Sequence, residues 1–190
     1  MVTVQVQRKV NIDLDKVLAQ LKKKAVYVGI PKENSKRSDG EMTNASLLMI
    51  HSKGSPLRNL PARPVIEPAI EEETNKAKIS RQLIAAANKG LNGDQAGFIT
   101  GLNAAGLQAQ NVCREWFKNP KNGWDPLAPS TIQAKVRKYG KGKNDAEGEE
   151  GKEKDLEEVQ DDEGVDTSSI VPLIDTGEMR KAITYVLRDS

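Results

Sequence analysis

Leu173-Ile174-Asp175-Thr176-Gly177 is the stretch whose residue types come nearest to chemistry. An apolar pair ahead of Asp-Thr-Gly is how the catalytic strand of an aspartic protease begins, and there two aspartates share one proton because like charges so close cannot both ionise. Such an enzyme needs a second aspartate, and chain for a flap and the strands beneath it. No second Asp-Thr-Gly occurs and thirteen residues follow Gly177, so a two-lobed protease is excluded and a dimeric one is short of downstream chain. Asp175 is instead expected to cap a helix, with Glu178 at the reciprocal capping-box spacing and Met179, Ala182 and Ile183 as the apolar side chains that follow.

The other reactive types are scarce. His51 is the one histidine, so a Ser-His-Asp or Cys-His arrangement would have to use it. It ends an apolar helical run with no nucleophile beside it, and reads as a packed or capping histidine. Cys113 is the one cysteine, which rules out an internal disulfide and a thiolate zinc site and suits a reducing compartment. Five glycines between Gly90 and Gly106 lack the lysine and hydroxyl of a phosphate loop. Trp116 and Trp124 flank a turn holding Lys118 and Lys121, which could stack a single nucleic-acid strand; core tryptophans at a helix end explain them more simply. The expectation is no enzyme, no cofactor and no metal.

The elements that must position these residues are legible in part. Gly123 to Lys135 parallels the Asp175 stretch: Pro126 and Pro129 stiffen the approach, Ser130 is placed as an N-cap, and Gln133 stands three residues on. Val2, Val4 and Val6 alternate as a strand, and Leu14, Val17, Leu18 and Leu21 give a helix over about 13–24. A strand follows at 25–30, then a basic, turn-rich surface loop at 31–40 and a helix over 43–51.

Leu60-Pro61-Ala62-Arg63-Pro64 is held extended by its prolines. One helix is expected from Pro68 to about Gly90, with Ile70, Ala77, Leu83, Ile84 and Ala87 as a thin apolar face. Another runs from about Asp94 to Lys118, striped by Phe98, Leu102, Ala105, Ala109, Val112 and Trp116. Gly101 and Gly106 inside it imply that another backbone comes close, in the same protomer or across a subunit contact. Ile183, Tyr185 and Leu187 alternate in a closing strand. The fold class is α+β, a small mainly antiparallel sheet packed against two or more long helices.

Charge divides the chain. Hydrophobic residues are 37% and aromatics 4%, lean for a core, but the shortage is local. Residues 144–166 hold twelve acids against two lysines, a charge of −10, which leaves +12 on the remainder of a chain whose total is +2. Residues 1–143 and 167–190 therefore form one body, and 144–166 is an acidic insertion, disordered or projecting. A basic body admits nucleic acid or an acidic protein face as partner, though a plain solvated lysine-rich surface is the simpler reading. No apolar run approaches bilayer length and no secretory signal is evident, so no membrane partner is expected.

Taken in order, Ile50-His51 leading to Gly54, then Leu60-Pro61-Ala62-Arg63-Pro64, then Gly123-Trp124-Asp125-Pro126-Leu127 with Ser130-Thr131-Ile132 and Lys135, then Pro172 to Gly177 with Met179, Arg180 and Ile183, the motifs resemble a known family. It is that of the virion-morphogenesis or tail-completion proteins of tailed bacteriophages, small neck proteins at the head-to-tail junction. The resemblance implies a non-enzymatic structural subunit of a homo-oligomeric ring, assembled in the host cytoplasm and located in the virion neck. Its partners would be other neck, connector or tail proteins, with non-specific proximity to DNA in the channel. Ring contacts are heterologous, one face of a protomer meeting a different face of the next. The motif or interface candidates are Pro61, Arg63, Pro64, Trp124, Pro126, Leu127, Ser130, Asp175, Thr176, Gly177 and Arg180. The reading from a different class is a nucleic-acid-binding or packaging accessory protein that uses Lys36, Arg37, Lys138 and Lys141.

Overall fold

The computed structural model describes residues 19, 23–38, 42–140, 170–174 and 176–189. The strand expected at Val2 to Val6, most of the helix expected over 13–24 and the acidic insertion at 144–166 lie outside the described residues; Lys24, expected to end that helix, already belongs to the first strand. The fold is α+β, as the periodicities predict: among the described residues, a two-stranded antiparallel sheet packs against several helices.

Strand β1 (Lys24–Gly29) pairs with β2 (Thr184–Asp189), in a register that sets Val26 opposite Leu187 and Val28 opposite Tyr185. Side chains alternate across a strand, so these four share a face, and it packs on the central helix α4 (Gln95–Trp116). The predicted stripe of α4 is the spine of the core: Phe98, Leu102, Ala105, Ala109, Val112 and Trp116 are all buried. Asp94 caps it by accepting from the Gly97 N–H at 2.7 Å.

Both interior glycines of α4 have partners in the same protomer. At Gly101 a Cβ would stand 2.8 Å from the Ala86 Cα of α3 (Glu73–Leu91), and at Gly106 it would enter the ring of Tyr185. The close approach predicted from the glycines is therefore helix on helix and aromatic on backbone within one chain.

Helix α1 (Asn44–Lys53) is capped by Thr43, whose Oγ1 accepts from the Ser46 N–H at 3.2 Å. The basic loop before it is tied to the helix at Ser35 and Lys36. Buried Asn44 donates to the Lys36 carbonyl, and the Ser35 hydroxyl accepts from the Ala45 N–H.

The single helix expected from Pro68 to Gly90 is two. Helix α2 (Ile66–Glu71) stops at Glu72, whose backbone turns extended and whose carboxylate caps α3 by accepting from the Asn75 N–H at 2.9 Å. The Asn75 amide donates in turn to the Ala69 carbonyl at 2.9 Å. Polar side chains thus take up the backbone groups that the break orphans. The buried face of α3 is Ile79, Ala86 and Gly90; Ala77, Leu83 and Ile84, expected to face the core, are exposed.

Helix α5 (Pro129–Gly140) corrects a capping assignment. The Ala128 carbonyl accepts from the Thr131 and Ile132 N–H groups, so the helix opens at Pro129 and Ser130 lies inside its first turn. Proline suits the first helical position because its missing N–H would be unsatisfied there anyway. Helix α6 (Glu178–Ala182) likewise starts late: Gly177, at φ 77, is its cap residue and no side chain caps it. Asp175, expected as that cap with Glu178 as its capping-box partner, lies outside the described residues; the Glu178 carboxylate accepts from the Ser38 backbone N–H and hydroxyl.

Candidate functional site

The proline-flanked segments meet at one corner of the fold, and Arg63 is the pin. Only 5% exposed, it donates through Nη2 to the carbonyls of Asp125 at 3.0 Å and Pro126 at 3.4 Å. One residue on, the Pro64 carbonyl accepts from the Trp124 indole N–H at 3.1 Å. Trp124 also packs edge-on against buried Phe117, with ring centroids 5.9 Å apart. The Arg63 N–H donates to the His51 carbonyl at 2.7 Å, so the same residue ties the end of α1 to both proline segments.

Two further devices complete the corner. Gly54 ends α1 at φ 69, and a Cβ there would lie 2.7 Å from the Ala62 nitrogen and 2.8 Å from the Leu60 oxygen, so glycine is required by conformation and by space. From α5, the Lys135 ammonium donates to the carbonyls of Val171 at 3.1 Å and Ile174 at 2.7 Å. Between those carbonyls Leu173 is held at φ 61, a left-handed conformation that costs about 1–3 kcal/mol away from glycine and persists where its surroundings impose it.

These elements enclose a pocket of about 570 Å³. Leu47, Pro61, Leu127 and Met179 give it apolar walls, and Arg37, His51, Arg63 and Lys135 line it with basic side chains. Glu178 is the acid among the described residues that line it, and the Ser38 backbone N–H and hydroxyl both donate to its carboxylate. Burial lowers the pKa of His51, and the nearby Arg63 guanidinium lowers it further, so the imidazole is neutral near pH 7. Its Nδ1 and the Arg63 Nε are buried without hydrogen-bond partners.

Of the residues singled out from sequence, the structure brings Pro61, Arg63, Pro126, Leu127, Thr176 and Gly177 to the pocket lining. Pro64 and Trp124 stand behind it as a brace. Arg180 lies elsewhere, donating to the Arg114 carbonyl at 2.7 Å while Arg114 donates to the carbonyls of Lys181 and Ile183, a mutual clamp between α4 and α6. Ser130 does not line the pocket. Sequence reasoning passed over His51 and Leu47 as site residues, although His51 opens the chain of motifs that converges there.

Chemically, the corner is a recessed cationic pocket with apolar walls. No hydroxyl is hydrogen-bonded to the His51 ring among the described residues. Nor do the described residues hold a cluster of three or more His, Cys, Asp or Glu that could bind a metal. No helix among them is long and apolar enough to cross a membrane. In comparison with known proteins, the chain matches no family model, no curated protein and no solved structure.

Proposed function

We propose that this chain is a structural virion protein of a tailed bacteriophage, a subunit of an oligomeric ring in the neck at the head-to-tail junction, and that it performs no catalysis. The reading rests on the motifs that carry the resemblance, and the observation that supports it most is their convergence. Residues 60–64, 123–127 and 171–174 are far apart in sequence and bonded at one corner, through Arg63, Trp124 and Lys135. A joint of that kind holds loops at fixed angles, which a ring needs if each subunit is to meet the next with the same rotation. Apolar surface for such contacts is present: Leu57 is fully exposed, and Met49 and Ile84 are more than half exposed.

The test is to separate particles from lysate and probe for the protein. Its presence in virions, and its position in the neck by imaging, are the expected results; absence from virions overturns the proposal.

The charge of +12 outside the acidic segment favours a second reading, a nucleic-acid-binding or packaging accessory protein. Under that reading DNA binding falls steeply with salt, and neutralising Lys36 and Arg37 shallows the slope. Binding that is absent or indifferent to salt removes it.

A further inference from the structure

Arg63 is a buried cation without a counter-ion. One of its nitrogens is spent on two backbone carbonyls, Nε has no partner, and among the described residues no carboxylate pairs with it. A buried guanidinium is costly unless an anion matches it, and a carboxylate is the planar, two-oxygen group that fits its fork. The acid on the pocket wall, Glu178, is already engaged by Ser38.

We propose that this pocket is a carboxylate-binding site and that, in the assembled ring, it takes an aspartate or glutamate from the acidic segment 144–166 of a second copy of this chain. The inference rests on the ring reading and names its contact. Charge complementarity carries the choice of occupant: the segment bears −10 and the remainder of the chain +12. Arg63 lines the pocket together with the apolar Leu47, Pro61, Leu127 and Met179, a mixed lining that suits a peptide side chain better than a phosphate backbone. Leu156 and Val159, set among the acids, match those apolar walls. A pocket and a segment are two different surfaces of one protomer, as a heterologous ring contact requires.

The experiment compares full-length chains: wild type, a chain with the twelve acids of 144–166 changed to their amides, and that amide chain carrying Thr131→Glu. Thr131 is exposed on the pocket rim in the first turn of α5, where a glutamate is well tolerated by the helix and sets a competing carboxylate at the site. Sedimentation gives mass. Calorimetry gives binding of a synthetic peptide of residues 144–166, of its amide form, of inorganic phosphate and of a short DNA duplex.

The expected result is an oligomeric wild type, a monomeric amide chain, and acidic peptide that binds the amide chain while the amide peptide does not. Thr131→Glu weakens that binding by at least about tenfold at unchanged melting temperature, and Arg63→Gln abolishes it if the variant folds. Peptide that fails to bind, or that binds equally to the Thr131→Glu chain, overturns the site, as does phosphate or duplex binding in its place. An amide chain that stays oligomeric without binding peptide sinks the site and leaves the ring reading standing. A monomeric wild type whose amide form binds peptide sinks the second copy as source, and the ring reading with it.

Discussion

The Trp124 indole N–H reaches the Pro64 carbonyl at 3.1 Å across 60 positions of sequence. That bond and the Arg63 bonds beside it fix the angle between two proline segments that no regular element joins. Trp124→Phe keeps the ring against Phe117 and loses the hydrogen bond, so it costs about 0.5–1.5 kcal/mol. Trp124→Ala also empties the half-buried site and costs about 3 kcal/mol. Denaturant unfolding of both variants measures the difference.

Gly54 and Gly93 both have positive φ, at 69° and 82°, but only Gly54 is crowded by backbone atoms; nothing lies within 4 Å of a Cβ at Gly93. Gly93→Ala is expected to cost about 1 kcal/mol, the price of the conformation alone. Gly54→Ala must also push back the chain at Leu60 and Ala62, and is expected to exceed about 2 kcal/mol. Equal losses at the two sites contradict the packing described at the end of α1.

Stability depends on pH through groups with separate windows. The pKa of His51 is lowered by burial, then by Arg63. The unfolded chain therefore binds the proton more readily, and stability present above the ordinary value of 6.5 falls as pH drops below it. His51→Gln removes that fall in stability below the ordinary value of 6.5.

Glu72 responds in more acid solution. Its hydrogen bonds from Lys121 and from the Asn75 N–H hold its pKa below the ordinary value of 4.5, so its contribution is lost as pH falls from there through the folded value. Lys121, raised by the same pairing, loses its share only as pH rises through its own folded value. Glu72→Gln removes the acid component and leaves the His51 window in place, which urea midpoints across pH resolve.

Cys113 is fully buried, and burial pushes its thiol up to about 12. In mildly alkaline buffer an aromatic disulfide reagent should label it only as fast as the chain unfolds. Rapid labelling of native protein contradicts its place between α4 and the core.

The parts of the fold legible in the sequence are those fixed by local periodicity. The α4 stripe from Phe98 to Trp116 shows a period of 3.6, and the strand at 24–29 a period of two. The break at Glu72 was hidden because Glu, Thr and Asn are ordinary helix residues until one carboxylate turns back to cap Asn75. Ser130 misled because a proline before it already opens the helix. At the candidate site, Pro61, Arg63, Pro126, Leu127, Thr176 and Gly177 were singled out as motif residues, yet nothing local shows that they share a pocket. That Arg63 turns inward to two carbonyls more than sixty positions away, and that Lys135 grips the chain around Leu173, are long-range facts with no periodic signature.

Whether this chain closes into a ring is decided most directly by the native mass of the purified full-length protein across a range of concentrations. The account predicts a single closed oligomer of fixed stoichiometry, with one copy number and no larger species. A protein that stays monomeric at every concentration, or that grows into open chains of unlimited length, contradicts it.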